Sequence, residues 1–168
     1  MGTTANIAIG GATFKMIGEG AGTAVDVGFT KGGTAIRHEA EFVDIIPDQN
    51  LGVVEKRITL ERMFVKATIL EVALAEVMEA AMRTPAANLS GTTTLTLGYD
   101  DNCVSTYWEV EVVGVGPACA TRTYNFPKCI VVGSPEMTHS REEELALEIE
   151  FEVLKTASTG VFGTIVDS

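Results

Sequence analysis

The chain has 168 residues, 46% hydrophobic and 21% charged, with 12 Lys and Arg against 23 Asp and Glu and a formal net charge of −11. A chain of this length forms one compact domain that removes roughly 70% of its extended surface from water, and its composition excludes disordered, collagen-like and disulfide-scaffold classes. The acidity argues against non-specific binding of nucleic acid, which needs clustered cations to displace counterions from phosphates.

Residues 1–33 form an N-terminal segment of short apolar pieces, Ile7 to Ile9 and Thr13 to Ile17, separated by Gly18-Glu19-Gly20-Ala21-Gly22. The glycines read as a loop and not as a phosphate cradle, because no Gly-Lys-Ser/Thr follows and no long helical pattern begins there. The opening MGTTANIAIGG lacks the basic and apolar regions of a signal peptide, and no apolar run reaches the roughly 18 residues of a membrane span. The expectation is a chain folded in cytosol, with no membrane segment.

From Thr34 to Ile46 the residues alternate: Ile36, His38, Ala40 and Phe42 point one way, and Arg37, Glu39 and Glu41 the other. Pro47-Asp48-Gln49-Asn50-Leu51-Gly52 is turn chemistry, and Val54 to Ile69 alternates again, so residues 34–69 are expected to form one long hairpin. Ile58 and Leu60 share the parity of Val54, whereas Met63, Val65, Ala67 and Ile69 have the opposite one, which predicts a bulge or a change of sheet near Glu61-Arg62. A hairpin this long reaches past what a small domain covers. Its outer part reads equally as an arm for a neighbouring subunit and as an ordinary exposed hairpin.

Thr68-x-x-Glu71 fits a capping box, and Leu70, Leu74, Val77, Met78 and Ala81 recur at helical spacing, so a helix is expected over 70–83, ending before Pro85. Strands return over 93–155. Leu95, Leu97 and Tyr99 alternate; Trp108, Val110 and Val112 oppose Glu109, Glu111 and Val113; Tyr124, Phe126, Ile130 and Val132 share a parity interrupted by Pro127, which marks an edge or a bulge. Leu145, Leu147, Ile149, Phe151 and Val153 then alternate with Glu148, Glu150 and Glu152, and residues 156–168 form a tail. Strands, one helix, then more strands predict a single, mainly β domain over 1–168: an antiparallel β-sandwich or barrel with one flanking α-helix and a long β-hairpin arm.

Signs of catalysis are scarce. Cys103, Cys119 and Cys129 fall in no C-x-x-C spacing and read as reduced, mostly buried thiols; His38 and His139 have no partner at ligand spacing. No catalytic residue, metal site or cofactor is expected, and the chain does not read as an enzyme. Glu148, Glu150 and Glu152 share one strand face, where like charges repel; the face is either simply solvated or a surface that turns away a polyanion. Arg37, Glu39, Glu41, Arg57 and Glu61 mix signs, which suits a contact between subunits.

These features resemble the major tail tube proteins of long-tailed, siphovirus-like bacteriophages. The resemblance lies in the glycine-rich N-terminal region ending Asp26-Val27-Gly28-Phe29-Thr30-Lys31-Gly32-Gly33, the hairpin from Ile36 through Pro47-Asp48-Gln49 and Gly52 to Ile69, the helix Leu70 to Met82, and Phe151-Glu152-Val153-Leu154 before a short tail. It implies hexameric rings stacked into a tube, which carries a tape measure protein during assembly and later passes double-stranded DNA without specific binding. Further partners would be tail terminator and baseplate or initiator proteins, and the location a virion tail assembled in the host bacterial cytoplasm. In this setting Glu109, Glu111, Glu148, Glu150 and Glu152 are expected to face the lumen. Arg37, Glu39, Glu41, Asp48, Gln49, Asn50, Leu51, Arg57 and Glu61 are expected at contacts between subunits or rings. Alternatives are a tube subunit of a phage-like secretion or contractile device, a monomeric barrel holding a small apolar ligand near Trp108, Tyr124 and Phe126, and, weakest, a hydrolase.

Overall fold

The computed structural model describes residues 11–18, 25–48, 52–70, 75–82, 89–90, 94–95, 107–137 and 145–168. The long alternating runs become the two longest strands, β3 (Thr30–Ile45) and β4 (Glu55–Ile69), paired antiparallel as a hairpin. Before them come β1 (Thr13–Gly18) and β2 (Val25–Asp26), and after them the helix α1 (Ala75–Met82) and the short pair β5 (Leu89–Ser90) and β6 (Thr94–Leu95). The chain continues through β7 (Trp108–Val115), β8 (Thr121–Val132), β9 (Leu147–Val153) and β10 (Thr164–Asp167).

Apart from β5 and β6, the strands join one antiparallel sheet in the order β2-β1-β7-β8-β9-β4-β3, with β10 added to β8. The two ends of this order are one stretch of chain. The Val27 N–H donates to Phe14 O at 3.1 Å, while the Leu70 N–H donates to Phe29 O at 2.9 Å, so residues 25–30 bond first to β1 and then to β4. Gly28 makes the bend between them with φ of 79°, a left-handed conformation that glycine adopts without cost. The sheet therefore curls until its edges meet at this one place, and among the described residues it stays open along the rest of β3.

The enclosed face holds the core. Phe14, Met16, Val65, Ala67, Ile69, Trp108, Val110, Val112, Phe126, Val131, Leu147, Ile149, Phe151 and Val153 are buried there, with Val77, Ala80 and Ala81 of α1 packed on them. Phe14 of β1 and Phe151 of β9 lie 5.9 Å apart by ring centroids although two strands separate them in the sheet order, which shows how tightly the sheet curls. Each fully buried large apolar side chain contributes about 1.5–3 kcal/mol.

Two bulges set which side chains face inward. Glu41 pairs with Leu60 and Phe42 with Ile58, so Thr59 is the extra residue of β4, and its hydroxyl donates to Glu41 O at 3.2 Å. The parity change expected near Glu61-Arg62 thus occurs two residues earlier. On β8, Val110 faces Phe126 and Trp108 faces Cys129, leaving Pro127, which has no N–H to donate, within the bulge. This bulge corrects the reading of β8. Phe126, Cys129 and Val131 point inward, and Ile130 is only half-buried, because the extra residue reverses the alternation after Phe126.

Two further corrections concern chain ends of elements. Thr68 is inside β4, paired with Glu148, so it does not cap the helix, and Leu70 is in a bend held by Phe29. The described helix is Ala75–Met82, and Glu71 lies outside the described residues. In the expected tail, β10 pairs along Arg122 to Asn125 of β8, on the edge that β9 also uses at Cys129 to Val132. β9 and β10 are thus successive lengths of one strand line, and residues 154–163 leave the sheet between them.

Candidate assembly surface

The five expected lumen glutamates share one side of the sheet. Trp108, Val110 and Val112 of β7 and Leu147, Ile149, Phe151 and Val153 of β9 point into the core, so Glu109, Glu111, Glu148, Glu150 and Glu152 occupy the opposite face. They do not form a bare acidic wall. Lys15 Nζ lies 2.8 Å from Glu111, Lys66 Nζ 2.7 Å from Glu148, and Arg37 Nη2 3.3 Å from Glu150, while the Asn125 amide donates to Glu109 at 3.2 Å. Among the described residues Glu152 makes no ion pair.

The cause is cross-strand register. β4 sets Lys66 opposite Glu150 and next to Glu148, and β1 sets Lys15 opposite Glu111. Cations from neighbouring strands thus separate acids that β9 alone would leave in a repelling row. Each such partly exposed pair contributes about 0.2–1 kcal/mol, enough to order the carboxylates but not to hold the fold. The Arg37 guanidinium also lies 4.7 Å from the Phe64 ring centroid and 3.2 Å from Glu39.

The other expected contact residues divide between the two faces of the hairpin. Arg37, Glu39, Glu41 and Arg57 lie on the glutamate side, Arg57 paired with Glu55 at 3.2 Å. Glu61 does not. The bulge at Thr59 turns it to the core side opposite Ala40, where Lys155 binds it and holds its carboxyl below the usual carboxylate range, and His38 Nε2 is 3.9 Å away. Asp48 is exposed at the turn, and Gln49, Asn50 and Leu51 lie outside the described residues.

Beyond Met63, the last β4 residue paired with β9, the hairpin is a projecting arm: among the described residues its two strands pair only with each other. On the core side this arm carries Phe42 with Ile58, then Asp44 with Lys56 at 3.1 Å, then Ile46 and Val54. The four hydrophobic residues are 52–60% exposed, which an ordinary solvated hairpin would avoid.

Where the arm leaves the sheet, a groove of about 360 Å³ opens between it and the β10 segment. Ile36, Met63, Tyr124, Phe126, Phe162 and Ile165 line it, and the rings of His38 and Phe162 meet edge to face with centroids 6.2 Å apart. This groove has little signal in the sequence, since β10 is four residues long and the loop before it has no periodicity. Of the expected ligand-pocket residues, Tyr124 and Phe126 reach the groove and Trp108 is in the core.

The thiol of Cys129 is buried, donates to Phe126 O at 3.6 Å and is pushed up to about 12 chiefly by desolvation, so it is no nucleophile. Cys103 and His139 lie outside the described residues, as does the side chain of Cys119. No group of three potential metal ligands occurs among the described residues.

No protein-family profile matches the sequence, and no curated protein matches it. Among solved structures, the chain is similar to one in the tail of an empty GTA particle, determined with helical refinement and C6 symmetry. The TM-score is 0.54 at 12% identity, covering 93% of this chain and 94% of that one. It is similar also to a chain of the anti-feeding prophage baseplate, six-fold symmetrised, with TM-score 0.54 and 10% identity over 99% of this chain and 97% of the other. The curled antiparallel sheet with its short helix and projecting hairpin is a fold shared with these tail and baseplate chains.

Proposed function

We propose that the chain is a structural subunit, not an enzyme, that assembles into stacked hexameric rings forming a tail tube. The observation that carries this reading is the arm. On a fold shared with tail and baseplate proteins, it projects past its own sheet and exposes Phe42, Ile46, Val54 and Ile58, an apolar surface that no described residue covers. Six-fold symmetry in both similar assemblies supports six subunits in a ring.

In this tube Glu109, Glu111, Glu148, Glu150 and Glu152 line the conduit. Lys15, Lys66 and Arg37 fix several of these acids in place, while the chain's charge of −11, multiplied around a ring, leaves the whole negative. Double-stranded DNA then passes without a cationic track on which to release counterions and stick. Arg37, Glu39, Glu41 and Arg57, with Asp48, Gln49, Asn50 and Leu51 at the tip, make contacts between subunits or rings. A tape measure protein occupies the tube during assembly in the host cytoplasm, and terminator and baseplate proteins close its ends in the virion. The likeness to an anti-feeding prophage chain favours, as a second reading, the tube of a phage-like device of that kind.

Negative-stain microscopy of the concentrated protein, with its mass in solution, tests the proposal. Rings or hollow tubes are expected. Deleting residues 47–52 should abolish them while the circular dichroism spectrum is unchanged, and normal tubes from that variant would refute the role of the arm.

A further inference from the structure

Past Met63 the direction of the arm is set by its own two-stranded ladder and by whatever touches its root. A lone two-stranded ribbon twists more than a wide sheet and is only marginally stable, so a modest contact at the root decides where the tip points. Val54 lies nine residues beyond Met63, about 30 Å at roughly 3.3 Å per residue. Room to move is present on one side, because the groove of about 360 Å³ separates the root from β10.

Four side chains span that groove. Glu61 and His38 come from the root of the arm, Lys155 and Phe162 from the segment between β9 and β10. Lys155 Nζ binds the Glu61 carboxylate and lies 5.0 Å from the centroid of the Phe162 ring. The Phe162 ring meets that of His38 at an interplanar angle of 72°, and His38 Nε2 is 3.9 Å from Glu61. Each of the four thus touches two others, two contacts running across the groove through ions and rings.

The body side of this circuit is stiff. The Leu154 N–H donates to Lys128 O at 2.8 Å, the Thr156 N–H to Val161 O at 3.1 Å and the Gly160 N–H to Thr156 O at 2.8 Å. Residues 156–161 therefore close a loop whose two feet are Lys155 and Phe162, and behind Phe162 the chain pairs with β8 as β10. The circuit is also solvent-accessible: the side chains of Glu61, His38 and Lys155 are 26%, 46% and 45% exposed, so it can open without disturbing the core.

We infer that the segment between β9 and β10 is a strap that latches the arm through the pair of Glu61 and Lys155, fixing the arm's direction, and that release of the pair lets the arm swing across the groove. Glu61 is a positioning residue, acting through the direction it gives Phe42, Ile46, Val54 and Ile58. The latch belongs to the single chain, whether or not copies assemble. A partly exposed ion pair adds little to the stability of a fold, so direction and stability separate in measurement.

Spin-label distances read the direction. In the full chain carrying Cys103→Ser and Cys119→Ser, with Cys129 left buried, nitroxides are attached at Val54→Cys on the arm and Val115→Cys at the end of β7, positions 60% and 41% exposed. The monomer fraction from size exclusion at pH 8 is measured by double electron-electron resonance. One narrow distance distribution is expected. Glu61→Gln and Lys155→Met should each broaden it about twofold, towards the freedom of an unsupported ribbon, and Glu61→Lys combined with Lys155→Glu should narrow it again. Lys66→Met breaks the 2.7 Å pair with Glu148, which does not cross the groove, and should leave the width as it is. If a single variant also lowers the urea midpoint, the charge swap still decides. Unchanged widths in both single variants, equal broadening by Lys66→Met, or a charge swap that stays broad would overturn the latch.

Discussion

Arg122 and Asp167 form a forked pair, Nε to Oδ1 at 2.6 Å and Nη2 to Oδ2 at 2.7 Å, that fastens β10 to β8. Next to it, Thr121 and Ser168 exchange backbone hydrogen bonds of 2.8 and 2.9 Å. The guanidinium holds the Asp167 carboxyl below its ordinary value. A carboxylate depressed in this way adds stability above its unfolded pKa and loses it as pH falls through the lower folded value. Acidification below about pH 4 should therefore loosen β10 before the sheet as a whole. NMR signals of residues 164–168 should shift first on titration, and Arg122→Gln should show the same shift already at pH 7.

Gly163 enters β10 so close to β8 that a Cβ there would collide with Asn125 O and stand 2.9 Å from Phe126 Cδ1. The carbonyl belongs to the bulged backbone beside Pro127 and does not yield as a flexible side chain would. Gly163→Ala should cost about 1–3 kcal/mol, as overpacking does. Urea denaturation measures the loss, and Gly160→Ala, whose added Cβ meets no atom within 4 Å, tells steric collision apart from backbone strain at its φ of 67°.

Core and arm should respond differently to the same truncation. Phe151 is fully buried against Phe14, and Phe151→Ala should destabilise the subunit by about 3–5 kcal/mol. Phe42 is 58% exposed, and Phe42→Ala should change the stability of the monomer by less than about 0.5 kcal/mol while impairing assembly. Denaturation of the monomer and microscopy of the concentrated protein read the two effects separately.

Cys129 supplies a probe of intactness. With its pKa pushed up to about 12, roughly 10⁻⁴ of the thiol is ionised at pH 8, and it should resist maleimide or disulfide reagents in the native state. Because this pKa is raised on folding, the associated stability is present below the ordinary thiol value and is lost as pH climbs from there towards the folded value. Peptide mapping after labelling should find Cys129 protected until the subunit unfolds.

The strands were legible where one face is buried along an unbroken run, as in residues 147–153, whose glutamates all reach the outer face as their alternation requires. Legibility failed where one extra residue reverses the pattern. The parity change along β4 announced a bulge but not its place at Thr59, which moves Glu61 from the mixed-charge strip to the groove wall; Pro127 announced another, but not that Cys129 and Val131 would thereby turn inward. The cations that temper the acidic face were hidden for a different reason. Lys15 and Glu111 are 96 residues apart, and Arg37 and Glu150 are 113 apart, so their meeting depends on sheet order and not on local spacing.

The same sheet order governs how the chain must be made. β4 is complete by Ile69, but the edge it shares with β9 finds its partner only when Leu147 to Val153 arrive. At about 5–20 residues per second, the intervening stretch of about 80 residues takes on the order of 4–16 s to synthesise. Through that interval a nascent hairpin stands with one edge of β4 unpaired and its outer stripe bare, beside other chains in the same condition. Strand pairing of such long sequence separation is slow, and open apolar hairpins invite premature partners. The surface proposed to join finished subunits is thus also the one a cell must keep apart while they are being born.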